Sequence, residues 1–352
     1  MPHRPAKIRE LPHAPAFSTF SAGMIQRFTR RGSSFFRLRT YIAAGILVPF
    51  ATMAGIAACA GADTTPRENI SVKPGSVQPL RLKRSASFDK RLLPECSGLA
   101  ASKKYPGVFW AISDSGNAPC IVALRADGSI VKPPNAPQSY KGITLTGVSN
   151  VDWEAITVDT ATGRLIVADI GNNGSRRRNL RLIVFPEPDP LRDTTVSPKK
   201  IAVRHAQQKV FPDPLLRFDC EAIFLWNNKI YTLTKRLPDT WTVLCVLQIQ
   251  PDGSGVFHPV TSFNSLGMVT DAAVSPDGRR LAILTYHNIW AFFPPADAAN
   301  PLSGNVFFRP IQVPLESWQV EAIAFTDNEH LIIASEQGDI YPITLKQMKK
   351  IR

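Results

Sequence analysis

Beyond residue 90 the chain alternates short apolar runs of five to nine residues with polar turns, and no stretch there carries apolar residues at helical spacing. The runs "VDWEAITVD", "FDCEAIFLW", "VTDAAVSPDG" and "QVEAIAFTD" share a carboxylate at the head of the apolar segment, at Glu154, Glu221, Asp271 and Glu321. "ECSGLAAS" supplies a fifth, with Ser97 in that place. Each is followed by a turn and a second apolar run: "GVFWAISDSGN", "RLIVADIGNN", "KIYTLTKR", "RLAILTYHN" and "LIIASEQGD". Third runs follow, such as "CIVALRADG" and "TVLCVLQIQPDG". Alternating apolar runs bounded by Gly, Pro, Asn and Asp predict strands and tight turns.

From Ser97 the intervals between repeats are 57, 67, 50 and 50 residues. Strand–turn units recurring at this period predict an all-β fold of the β-propeller type, with four-stranded blades around a channel. Counting repeats gives five blades. Six remain open, because "PKKIAVRHAQQKVF" (198–211) lengthens one interval. The last repeat has room for three strands, so a strand near 79–93 is expected to complete it and leave no open sheet edge.

The repeat gives the acids a meeting place. If each shared carboxylate opens an innermost strand, Glu154, Glu221, Asp271 and Glu321 ring one mouth of the channel. The ends of the second strands return to that face, bringing Asp114-Ser-Gly-Asn117, Asp169-Ile-Gly-Asn172 and Glu336-Gln-Gly-Asp339, with Lys235 and His287 at the matching places. Glycine in those turns permits positive φ or close backbone approach. Crowded carboxylates must take up protons, pair with cations or bind a metal, and oxygen-rich donor sets suit a hard divalent ion such as Ca²⁺. Glu154, Asp169 and Asn172 are the expected metal ligands. Asp114, Asn117, Glu221, Asp271, Glu321, Glu336 and Arg176 are expected to line a ligand site, with His287 and Lys235 as catalytic candidates. The alternative is structural: the acids cap backbone N–H groups or pair with neighbouring arginines and Lys235.

The net charge of +13 suggests nucleic acid or an anionic membrane, but its distribution argues otherwise. Residues 1–58 hold eight Lys/Arg against Glu10, and 59–352 hold 33 basic against 27 acidic residues. The body carries no recognisable nucleic-acid module, so no nucleic-acid partner is expected. Residues 1–59 are expected to be a signal peptide with lipobox, or a membrane anchor: basic residues precede the apolar run "YIAAGILVPFATMAGIAACAGAD", and Ile56-Ala57-Ala58-Cys59 resembles a bacterial lipobox with Cys59 lipidated. Residues 60–77 are expected to form a polar tether, and 78–352 a single propeller domain. The compartment implied is extracytoplasmic, anchored in the bacterial cell envelope. Cys96, Cys120, Cys220 and Cys245 stand 24 and 25 residues apart within their pairs, so disulfides 96–120 and 220–245, or buried free thiols, are expected.

The combination "SGLAASKKYPGVFWAISDSGN", "NVDWEAI…LIVADIGNN…RRR…VFPEP", "EAIF…IYTLTK", "VTDAAVSPDGRRLAILTY" and "VEAIAF…LIIASE" resembles a bacterial family of exported propeller proteins, many of them lipid-anchored. More distantly it is similar to phytase-like and gluconolactonase-type six-bladed propellers and to WD40-like propellers. The gluconolactonase resemblance implies a divalent ion held by Glu, Asn and Asp at the channel, with Glu154, Asn172 and Asp271 in comparable places. Asn172 stands where relatives often carry Asp, which argues against a highly charged multi-calcium site of the phytase type. No nucleophile-elbow, zincin, P-loop or Rossmann motif is present. Two functions are therefore expected as alternatives: a module binding a small ligand or an envelope partner, or a metal-dependent hydrolase of a lactone or phosphoester at the same mouth.

Overall fold

The computed structural model describes residues 65–236 and 239–352. Cys59 and the expected leader lie outside them, and no helix among the described residues is long and apolar enough to cross a membrane.

Strand pairing yields four sheets, one of eight strands in which two meanders join edge to edge, so five four-stranded meanders follow one another along the chain once Ala86–Ser87 completes the last. Blade 1 runs Cys96–Ala101, Phe109–Ser113, Cys120–Leu124 and Ile143–Leu145, from the channel outward. Blade 2 has Ala155–Asp159, Arg164–Asp169, Arg181–Pro186 and Lys199–His205. Blade 3 has Asp219–Trp226, Lys229–Lys235, Trp241–Ile249 and Gly255–Asn264, and blade 4 has Val269–Val274, Leu281–Thr285, Asn288–Phe293 and Asn305–Gln312. Blade 5 contributes Val320–Phe325, His330–Ser335 and Asp339–Thr344, and Ala86–Ser87 pairs with the last of these. The N-terminal strand thus closes the final blade, as the short last repeat requires. The 198–211 stretch supplies the outer strand of blade 2, Lys199–His205, and the loop after it.

Five buried apolar clusters hold the ring together, each shared by two successive blades. Trp226, Phe263, Trp290 and Phe292 fill the joint of blades 3 and 4. Leu99, Phe109, Ala322 and Ile332 fill the joint of blades 5 and 1, which seals the circle. Both faces of the middle strands meet a neighbour, so Phe109–Ser113 and Leu281–Thr285 are buried along their whole length. The joint of blades 2 and 3 is additionally fused at its rim, where Val203, Arg204 and His205 pair in parallel with Gly255, Val256 and Phe257.

Two expectations fail here. Residues 65–77 of the expected tether pack onto the body: Arg67 bridges to Ser262, and Ile70 and Val77 enter the apolar cluster of blades 3 and 4. Those apolar side chains gain about 25 cal/mol for each Å² they remove from water, which a solvated tether would forgo. The disulfides do not form either, since all four cysteines are buried free thiols. Cys96 and Cys120, like Cys220 and Cys245, lie on the first and third strands of one blade. Two strand spacings separate such strands by about 10 Å, beyond the roughly 7 Å that a disulfide spans.

Candidate functional site at the channel mouth

The register of the inner strands determines which side chains reach the channel. Ser97, Glu221 and Glu321 are each an extra residue in a β-bulge at the head of their strand. In blade 4 the extra residue is Thr270, so Asp271 falls one place later than the repeat alignment expects. Glu154 holds the corresponding place in blade 2, one residue before the pairing of Ala155 with Ala168. Two of these five positions lock blades together. The Ser97 hydroxyl donates to the Trp153 carbonyl at 2.8 Å, and that of Thr270 to the Val320 carbonyl at 2.9 Å. The other three present Glu154, Glu221 and Glu321, all buried.

The second-strand ends bring partners to these glutamates. Lys235 Nζ lies 2.9 Å from Glu221 Oε1 and 5.4 Å from the centre of the Tyr286 ring. The Tyr286 hydroxyl donates to Glu321 Oε1. Glu154 also neighbours Glu221, and Glu321 neighbours Glu336, so carboxyls are crowded in two pairs. Burial pushes Glu221 up to about 8 against the pull of Lys235. Burial and the charge of Glu321 push Glu336 up to about 10. Glu154 is raised well above the usual carboxylate range by burial and by Glu221, Asp114 and Asp152. Burial opposes the Lys235 charge, but Glu221, Tyr286 and Glu321 outweigh it and hold the ammonium well above its usual value.

Asp271 forms the plug beneath. Its oxygens accept from Ala272 N and from Ile323 N of blade 5, both at 2.8 Å, and it also accepts from the Leu99 backbone of blade 1. Burial still raises its carboxyl well above the usual range. This residue serves as a staple across blades 4, 5 and 1.

One side of the mouth has the spacing of a cation site. Carboxylate oxygens of Asp114, Asp152 and Glu154 all lie within 4.8 Å of one another, with Glu154 buried and the two aspartates partly exposed. Two Ca–O bonds of about 2.4 Å span that distance. Gly171 makes the approach feasible, because a Cβ there would collide with Glu154 Oε1 and come within 2.6 Å of Asp152 Oδ2. Asp152 was missed from the sequence; the "DWE" spacing and the glycine of "DIGNN" were its signals.

The other predicted residues are placed differently. Asp169 is fully buried and held by Arg177 Nη2 and Arg181 Nε, each at 2.7 Å, and by Asp152 N at 3.1 Å. With both oxygens committed to guanidinium groups, it orders the loop behind Glu154, and Asp152 takes the place beside Glu154 expected of it. Asn172 is engaged throughout: its N–H reaches Asp219 Oδ1, its amide donates to the Phe218 carbonyl, and its Oδ1 accepts from Arg177 N. It ties blade 2 to blade 3. Asn117 donates to Glu95 Oε2 at 2.9 Å and fixes the Asp114 turn, where Gly116 has a φ of 81°. Arg176 is exposed at the rim. His287 is also exposed, and the side chain of that turn reaching the acids is its neighbour Tyr286.

No protein-family model matches the chain, and neither does any curated protein. Solved structures do resemble it. One is a protein provisionally named as a gluconolactonase, 11% identical with a TM-score of 0.41, covering 80% of this chain and 99% of its own. Another is provisionally named as a 6-phosphogluconolactonase, from Bacteroides uniformis, 11% identical with a TM-score of 0.36, covering 73% and 66%. Hydrazine synthase from Kuenenia stuttgartiensis is 14% identical with a TM-score of 0.31, covering 75% and 58%. At such identities and TM-scores no activity passes across to this chain.

Proposed function

We propose that this chain is an envelope-anchored β-propeller that binds a ligand or partner on its acidic face, with a divalent cation such as Ca²⁺ held by Asp114, Asp152 and Glu154. The observation that carries the reading is the convergence of those three carboxylates, with Asp114 and Asp152 partly exposed and Arg177 Nη1 4.0 Å from Asp152 Oδ2. The cation would neutralise charge that the mouth otherwise manages by holding protons. Apolar side chains on the same face support a partner. Leu315 is 89% exposed and Trp318 50%, in the loop entering the inner strand of blade 5, and Val151 and Leu266 are exposed in equivalent loops. Exposed apolar groups around a polar centre suit a protein or ligand contact. Export and lipid anchoring at Cys59 rest on the leader sequence alone.

Calorimetric titration with Ca²⁺, Mg²⁺ and Mn²⁺ tests the cation. Binding should be lost in Glu154→Gln and Asp152→Asn and kept in Asn172→Ala. Equal heats in all four proteins would reject the site.

The hydrolase reading has one specific observation in its favour. Asp114 and Asp152 are partly exposed, so a cation there would keep positions for substrate, where it would polarise a lactone carbonyl or phosphoryl oxygen. Lys235 is too tightly held by Glu221 to act as a mobile base, and it serves as a fixed positive charge beside the acids. Cation-dependent turnover of a simple lactone or an aryl phosphate, abolished in Asp152→Asn, would establish this second reading over the first.

A further inference from the structure

At the far end of the channel from the acids, the ring encloses a cavity of about 390 Å³. Every blade contributes to its wall, through Ala100, Ile156, Leu225, Ala273 and Ala324. Three of those five are alanines, and where five strands converge such small side chains leave the axis open. At the acidic end the corresponding space is filled by glutamates, Lys235 and the Asp271 staple. The volume lies within the range of small-molecule sites, and the wall is mixed, with Thr157, Thr160 and Ser275 beside the apolar side chains.

The edge is formed by turns joining first and second strands, and the charged residues among those lining the cavity are Lys103, Arg279 and Asp277. Lys103 of blade 1 reaches across the opening to donate to the Pro276 carbonyl of blade 4 at 3.3 Å. Arg279 is exposed on that same blade 4 turn. The acid between them, Asp277, is already taken by Arg280 at 2.7 Å, by Ser275 and by Arg279 N. Asn227 and Asn228 complete the lip with neutral amides. A narrow throat with alanines from three blades in its wall, under two cations, selects by both shape and sign.

We propose that this cavity binds a small organic anion, its apolar body in the alanine-lined throat and its acidic group between Lys103 and Arg279. A hydrocarbon tail gains from leaving water in proportion to the apolar area buried. A cationic headgroup on the same tail would meet like charges at the lip. The site is separate from the acidic mouth and does not depend on any cation there.

The test uses octanoate, octylammonium and octanol as probes of one tail with three headgroups, titrated into the full chain by calorimetry and followed by thermal shift. Octanoate should bind and raise Tm, with octylammonium about tenfold or more weaker, as two rim charges of the opposing sign require. In Lys103→Glu/Arg279→Glu that order should invert; both positions are exposed, so the fold is kept. Ala273→Phe, which fills the throat, should abolish binding of all three. Should that variant unfold, Ala273→Leu combined with the charge-reversed rim decides the matter. Octanoate binding should be unchanged in Glu154→Gln. The proposal is overturned if octanoate does not bind, if octylammonium binds equally well, if rim reversal leaves the preference unmoved, or if Glu154→Gln removes binding.

Discussion

The two ends of the channel are built from the same five strands and differ in what those strands place on the axis. At one end the heads of the inner strands, four of them bulged, bring Glu154, Glu221 and Glu321 together with Ser97 and Thr270. At the other, unbulged alanines leave the axis empty. The first end is crowded, hydrogen-bonded and costly to disturb; the second is spacious, and its lip is surface. The ring sets where side chains converge, while bulge and residue size decide whether convergence yields a charged network or a cavity.

That contrast predicts a graded series of effects. Lys235→Met should be the most damaging, because it strands buried carboxyls with no cation; removal of one partner from such a pair costs about 3–5 kcal/mol. Denaturant unfolding measures it, and Glu221→Gln in the same chain should restore much of the loss. Asp169→Asn comes next at about 3 kcal/mol, since it frees Arg177 and Arg181 from a fully buried acid. Ser97→Ala and Thr270→Ala should each cost about 1 kcal/mol, the usual worth of one interblade hydrogen bond. Arg279→Ala, at the opposite lip, should stay within about 0.5 kcal/mol of the parent. A comparable loss at both ends would erase the distinction.

The pH dependence should also belong to one end. Glu221 and Glu336 have folded-state values raised to about 8 and about 10, so the folded chain holds protons that the unfolded chain has released. The stability these two groups contribute is therefore full below the ordinary glutamate range, near pH 4.5, and is lost as pH rises through about 8 and on towards 10. Glu221→Gln should flatten the lower part of that decline. Saturating Ca²⁺ should offset it, and thermal melts across pH 5 to 10 would display both effects.

Much of this was legible in the chain. The repeat and its short last unit gave the ring and its N-terminal closure, and the aligned turns brought Asp114, Lys235 and Glu336 beside the glutamates. Asp271 slipped by one place because a bulge inserts a residue that periodicity cannot count. The cysteine spacing of 24 and 25 residues reflected the distance between first and third strands, not a covalent link. Ile70 and Val77 were visible as apolar residues in the supposed tether, but a surface for them to cover exists only once blades 3 and 4 have met. The far cavity had no motif at all, since alanines at equal depth in separate blades become a space only in three dimensions.

Cation binding at the acidic mouth is most directly tested by counting the protons it displaces. Titrating Ca²⁺ into the protein at pH 7 in two buffers of different ionisation enthalpy yields that number. The account predicts binding with release of protons, because the cation takes oxygens from Glu154, whose carboxyl burial and its acidic neighbours hold well above the usual range, and predicts that Glu154→Gln abolishes the release. Binding without proton release, or no binding in either buffer, would contradict it.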